Sequence, residues 1–242
     1  MFWNNGYGSS TPGFQKNIKK VSSRYKKRKD NAYLKGRTYN DYLQFIEEHP
    51  NVSIVQGDTV YNDISNGPFI QTFKFVNYSF LFGIYHDNKD AKAMKEGIDK
   101  LESILGEEMF KKEVNVCLLD RGSEFTDAQG IEKNKDGLLR THVFYCDPMR
   151  SNQKGTLENN HIELRYILPK HYDLRALGLK SQKDLNRVLS HVNSFPKEKL
   201  NGKTPFELMQ FMNPELLRKL LDFGLTIIDK RCGQPDTIRI KK

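Results

Sequence analysis

Cysteine is scarce in this chain, and nothing about its placement organises a fold. The 242 residues hold 3 cysteines, Cys117, Cys146 and Cys232, with no CxxC pair among them. A disulfide framework and a thiolate zinc centre are thereby excluded, and Cys117 and Cys146, set in apolar runs, read as buried free thiols in a reducing compartment. The 6 histidines show no HxxxH or zinc-finger spacing. Long hydrophobic runs are missing too. Pieces such as FLFGIY fall far short of the roughly 18 residues a membrane span needs. The N-terminus, MFWNNGYGSS, has no basic segment leading into an apolar one, so no secretory signal is visible and a cytoplasmic protein is expected.

What the chain has is positive charge in one place. Lys and Arg total 39 against 30 Asp and Glu, a net charge of +9. Residues 16–37 hold ten bases, among them Lys26, Lys27, Arg28 and Lys29, and one acid, Asp30, so this arm accounts for the whole excess. A localised basic arm is suited to phosphate contact without sequence preference. With 37% hydrophobic and 11% aromatic residues, the remainder can bury a core.

Hydrophobic spacing divides the chain into a partly disordered basic arm with a short helix at 1–50, a core at 51–230 and a tail at 231–242. TYNDYLQFIEEHP reads as an amphipathic helix with Thr38 as N-cap and Pro50 as stop. VSIVQGDTV, FIQTFKFV and YSFLFGIYH read as three strands in an antiparallel meander. DAKAMKEGIDKLESILGEEMF has one helical period with Gly97 as its weak point. VNVCLL reads as a buried strand, 126–140 as a loop or small helical insertion, and THVFYCDP as a fifth strand. Helices follow, the first carrying Glu158, and Ser181 and Thr204 are candidate caps. This order predicts an α/β protein with a mixed five-stranded sheet flanked by helices, a ribonuclease H-like fold.

Three acids fall at one predicted edge of that sheet. Asp58 lies near the end of strand one, Asp120 ends strand four, and Glu158 sits early in the helix after strand five. Carboxylates converging there need a cation to stay ionised together. Their hard oxygens suit Mg2+ or Mn2+, and two such ions about 4 Å apart would serve in-line phosphoryl transfer. Asp63, five residues past Asp58, is the alternative first acid, and His161, three past Glu158, could form an ExxH metal pair. Glu124 and Asp127 read as loop surface, and Asp147 before Pro148 as turn chemistry.

The segments VQGDTV, LLDRGSEF and SNQKGTLENNHIELR resemble the three acid-bearing motifs of DDE transposases and retroviral-type integrases, and most closely those of the IS-thirty insertion-sequence family. VNSFPKEKLNGKTPFE at 192–207 resembles that family's stretch after the catalytic helix. The resemblance spans about residues 24–230, and the insertion at 126–140 absorbs an Asp120–Glu158 interval longer than typical. It implies that Asp58, Asp120 and Glu158 are the metal-binding catalytic triad. It also implies that Arg165 grips the element end, with Lys154, Asn159 and Asn160 as further DNA contacts, a helix-surface or capping role being the alternative for the two Asn. Double-stranded DNA (element ends and target) and a homo-oligomeric active complex are the implied partners, with no membrane and no small-molecule cofactor. The family's helix-turn-helix domains have no readable counterpart in residues 1–37, so a shortened gene product, or recognition on another chain, is expected. A remnant that binds DNA or inhibits the full-length enzyme, and a structure-selective nuclease of the same fold, are the alternative functions.

Overall fold

The computed structural model describes residues 32–229, without the side chains of 151, 152 and 155–160. The bases Lys26, Lys27, Arg28 and Lys29 and the tail 231–242 lie outside the described residues.

Five strands form one sheet: β1 (Ile54–Val60), β2 (Phe69–Phe75), β3 (Phe80–His86), β4 (Val116–Leu119) and β5 (His142–Tyr145). Their spatial order is β3-β2-β1-β4-β5. β2 is antiparallel to β1 and β3, whereas β4 is parallel to both β1 and β5. That mixed order, with helices on both faces, is the ribonuclease H-like topology the element order predicts.

Strand alternation sorts the core. One face carries Val55, Phe73, Phe75, Phe80, Phe82, Cys117, Leu119, Val143 and Tyr145. It is covered by α2 (Ala91–Leu105), α3 (Glu107–Glu113), α4 (Ala128–Glu132), α7 (Pro205–Met212) and α8 (Pro214–Asp222). Among the described residues it is the larger apolar cluster, and its aromatic side chains contribute on the order of 2–3 kcal/mol each when fully buried. Side chains of the opposite parity make two smaller clusters. Val60, Ile70 and Leu81 pack under α5 (Gly155–Ile167) and α6 (Gln182–Ser194). Val116, Leu118, Phe144 and Cys146 pack against Tyr39, Tyr42, Phe45 and Ile46 of α1 (Tyr39–Glu48).

Helix α1 begins as its sequence requires. The Thr38 hydroxyl accepts from the Asp41 N–H while the Asp41 carboxylate accepts from the Thr38 N–H, a reciprocal capping box. Its apolar stripe lies on the sheet. Arg37, counted with the basic arm, is turned inward. Its guanidinium binds Glu132 bidentately at 2.8 and 2.7 Å.

The helix expected over residues 90–110 is two. Asp90 caps α2, and Gly106 at φ 78° separates α2 from α3, a conformation glycine adopts without Cβ strain. The weak point is therefore Gly106. Gly97 is held inside α2 by a close neighbour: a Cβ there would lie 1.8 Å from the Gln71 Oε1 atom.

The stretch 192–207 resolves into structural parts. Asn193 is fully buried and caps both exposed backbone groups of edge-strand residue Leu81, accepting from its N–H at 2.9 Å and donating to its carbonyl at 2.7 Å. Lys197 pairs with Glu163 on α5. Thr204 and Glu207 form the capping box of α7, with Pro205 at its first turn. No helix among the described residues is long and apolar enough to cross a membrane.

Candidate metal centre

The first two acids meet because of strand register. Parallel pairing sets Ile54 beside Val116 and Gln56 beside Leu118. Asp58 and Asp120 each lie two residues beyond the last of these pairs, and the Asp58 charge acts on the Asp120 carboxyl. Asp58 lies within β1 opposite Thr72 of β2, and Asp120 follows the last residue of β4. Each carboxylate is oriented by local backbone. The Thr59 N–H donates to Asp58 Oδ1 at 2.7 Å, and the Gly122 N–H donates to Asp120 Oδ1 at 3.2 Å.

The pair is electrostatically unhappy. Burial first, and the Asp58 charge second, push the Asp120 carboxyl up to about 6. Glu124 adds to the rise, while the Lys154 ammonium and the Gly122 N–H oppose it. Glu124, expected on the loop surface, is buried at 4% exposure and ion-paired with Lys89 at 2.7 Å. It folds back over Gly122, where a Cβ would lie 2.5 Å from its Oε2. The expectation failed because its partner, Lys89, lies 35 positions earlier in the chain.

Helix α5 crosses this edge. The turn at Ser151–Lys154 that leads into it is tied to the end of β5: the Asp147 N–H donates to Gln153 Oε1 at 2.7 Å, and Gln153 Nε2 donates to Asp147 Oδ2 at 3.1 Å. Asp147 also pairs with Arg121 at 2.8 Å, so it locks the two loops that leave β4 and β5. Glu158, Asn159 and Asn160 occupy the first half of α5, and their side chains lie outside the described set.

Lys154 is turned inward at 7% exposure. Its ammonium donates to the Gly57 carbonyl at 3.0 Å and stands 3.3 Å from Asp58 Oδ2. His161 is the other neighbour of Asp58. Its Nδ1 is 3.9 Å from Oδ2, and its Nε2 is 3.2 Å from the Thr72 hydroxyl, which donates to the Asp58 carbonyl.

Arg165 is half-buried and fastens α5 to the chain after β1. It donates to the Asn62 side-chain oxygen and, at 3.1 Å, to the Tyr61 carbonyl, and burial holds its pKa below the usual arginine value. A cavity of about 480 Å3 opens beside it, lined by Thr59, Val60, His161, Arg165, Tyr166 and Lys170.

Asp63 is not at this edge. Its carboxylate accepts from the Ser65 N–H and the Asn66 amide at 2.7 Å each, and these bonds hold its pKa below the usual carboxylate value. It builds the turn before β2. Cys146, which follows the β5 residue paired with Leu119, lies beside this edge and feels the charges of Lys154, Asp120 and Asp58, but burial pushes both it and Cys117 up to about 11, so neither thiol is an activated nucleophile.

The donor set fits a hard divalent ion. Two carboxylates share one edge, burial and then the Asp58 charge raise the pKa of Asp120, and a side-chain ammonium stands beside Asp58 as counter-charge. Carboxylate oxygens of this kind suit Mg2+ or Mn2+. Asp58 and Asp120 would hold the ion, with Glu158 on α5 as the third acid. No set of three His, Cys, Asp or Glu groups able to hold a metal is found among the described residues, a set from which the Glu158 side chain is absent.

Sheet order and the paired strand acids define the class: a ribonuclease H-like fold with an acidic edge at β1 and β4. Sequence comparison is more specific. The chain is 36% identical over 67 residues to the transposase of insertion sequence element IS1086 from Cupriavidus metallidurans, covering 28% of this chain and 19% of the relative. It is 32% identical over 92 residues to the transposase InsI of IS30A from Escherichia coli, covering 38% and 21%. Over these stretches the chain is similar to IS30-type insertion-sequence transposases. The matches span about a fifth of the length of those relatives. No family model matches. Among solved structures, the catalytic core domain of HTLV-2 integrase in complex with magnesium aligns at 17% identity and a TM-score of 0.45, over 64% of this chain and 94% of that one. A simian T-cell lymphotropic virus intasome chain aligns at 14% identity and a TM-score of 0.49, over 64% and 53%.

Proposed function

We propose that this chain is the catalytic core of a DDE-type transposase, a polynucleotidyl transferase that cleaves DNA at insertion-sequence ends and joins the freed 3′-hydroxyl to target DNA. The observation that carries the reading is the register-enforced meeting of Asp58 and Asp120, with the Asp120 carboxyl pushed up to about 6 at an edge crossed by the helix bearing Glu158. Kinship with insertion-sequence transposases supports the same chemistry.

Asp58, Asp120 and Glu158 are the proposed metal ligands, taking two Mg2+ or Mn2+ ions. Bound there, the metal would activate an attacking oxygen and stabilise a leaving one. The protein's own part is positional. The Thr59 and Gly122 N–H groups aim the two strand carboxylates, Asp147 locks the loops beneath them, and Arg165 holds α5 at its height. Among the described residues no thiol is poised as a nucleophile, in keeping with direct attack by water and then by a DNA hydroxyl. Asn159, Asn160, Lys154 and Arg165 near the helix, and Lys26, Lys27, Arg28 and Lys29 in the arm, are the proposed DNA contacts. The active complex is proposed to be a homo-oligomer on double-stranded DNA, acting in the cytoplasm.

The test is a strand-transfer assay with a labelled duplex carrying the element's terminal repeat, a supercoiled plasmid and Mg2+. Joined products that vanish with chelator are expected. Nicks without joins would instead mark a structure-selective nuclease. DNA binding with no metal-dependent cutting would mark a non-catalytic remnant, and either outcome overturns the proposal.

A further inference from the structure

Lys154 is a buried charge placed directly at the acidic edge. Lysine is almost never buried unless paired, because its ammonium is compact and strongly hydrated. Here the stem runs beneath the sheet edge and places the head on the Gly57 carbonyl at 3.0 Å and 3.3 Å from Asp58 Oδ2. Its charge also acts on Asp120, where it opposes the rise that burial and Asp58 produce. A single positive head group thus serves both carboxylates that would bind the divalent ion.

Those two roles conflict. Mg2+ holds carboxylate oxygens at about 2.0–2.1 Å and brings its own water with it. A cation that close to Asp58 Oδ2, beside an ammonium only 3.3 Å from the same atom, would set like charges together in a partly buried site. Lys154 is the last residue of a short turn, Ser151–Lys154, directly before α5, and its long side chain can exchange partners while the turn stays fastened to β5 through Gln153.

We propose that Lys154 is a built-in placeholder cation. In the metal-free protein its ammonium neutralises Asp58 and Asp120 and holds the edge together. A divalent ion displaces it, and the released head group swings out to a DNA phosphate at the same edge. The proposal rests on the reading of these acids as a metal centre. It adds that metal entry and lysine exit are one exchange, which links readiness of the acids to capture of the DNA backbone. Because coupling is reciprocal, removing the competing ammonium strengthens metal binding by the factor by which metal loosens the lysine.

Two measurements on the full chain without DNA test this. Mn2+ titration by calorimetry compares wild type with Lys154→Met, which keeps the stem and removes the charge. The variant is expected to bind Mn2+ roughly tenfold more tightly, within the usual range of such couplings, and to melt lower than wild type when metal is absent. Equal or weaker Mn2+ binding by a folded variant overturns the proposal. The second measurement needs no variant. Amine acylation of the wild-type protein, read by mass spectrometry at Lys154, is expected to be slow without metal and several-fold faster with saturating Mn2+. An unchanged or slower rate overturns it. If the wild-type protein binds no Mn2+ in the first titration, the metal-centre reading itself fails, which is distinct from binding that leaves Lys154 in place.

Discussion

Asp120→Asn should make the metal-free protein more stable while removing its proposed activity. Burial and the Asp58 charge hold the Asp120 carboxyl near 6, against an ordinary value of 3.8. Between those values the unfolded chain has lost a proton that the folded chain retains, so stability falls as pH rises through about 4 to 6 and stays low above. The rise from 3.8 to about 6 corresponds to roughly 3 kcal/mol. Asp120 is partly open to solvent, so about 1–2 kcal/mol is a better expectation for the gain on substituting asparagine. For a chain of this size that is a rise in Tm of roughly 2–8 °C. The assay is thermal unfolding of both proteins in chelator, at about pH 8 and about pH 4. The variant should melt higher at the first pH and level with wild type at the second. Added Mg2+ should then stabilise wild type and leave the variant nearly unmoved. A variant that melts at or below wild type at about pH 8 would refute the claim that these carboxylates repel each other across the sheet edge.

Two further substitutions separate positioning from contact. Gly97→Ala improves helix propensity by up to about 1 kcal/mol. The new Cβ nevertheless meets Gln71, whose amide bonds Met94 and His86 in the core, so a net loss of about 1–3 kcal/mol in denaturant unfolding is expected; a stabilised variant would show that Gln71 can move freely. Arg165→Ala should lose about 1–2 kcal/mol of stability even without DNA, because Asn62 and the Tyr61 carbonyl lose their partner. Unchanged stability with weakened DNA binding would make Arg165 a pure phosphate contact.

Much of the fold is legible in the sequence because its strands are short apolar runs bounded by turn residues, buried along most of their length. FIQTFKF and FLFGIYH face a helix layer on each side, and the apolar run VCLL needs a central, parallel position. Asp58 and Asp120 stand out because polar acids interrupt those runs at matching heights. What stays hidden depends on distant partners. Gly97 reads as a helix weakness, yet its reason is Gln71 on β2, and the real break falls at Gly106, whose positive φ no periodicity reports. Glu124 reads as surface because its partner, Lys89, sits on another loop. Lys154 lies in a polar, glycine-bearing approach of the kind that normally faces solvent, and only the packing of α5 over β1 turns its ammonium toward Gly57 and Asp58.

The most direct test of the metal centre replaces the ligand and then the metal. Asp120→Cys substitutes a soft sulfur donor for a hard oxygen, which Mg2+ tolerates poorly and Mn2+ tolerates better. In the strand-transfer assay the variant is expected to be inactive in Mg2+ and partly restored in Mn2+, while wild type works in both. Equal activity of the variant in the two metals, whether full or absent, would contradict a direct bond between residue 120 and the catalytic ion.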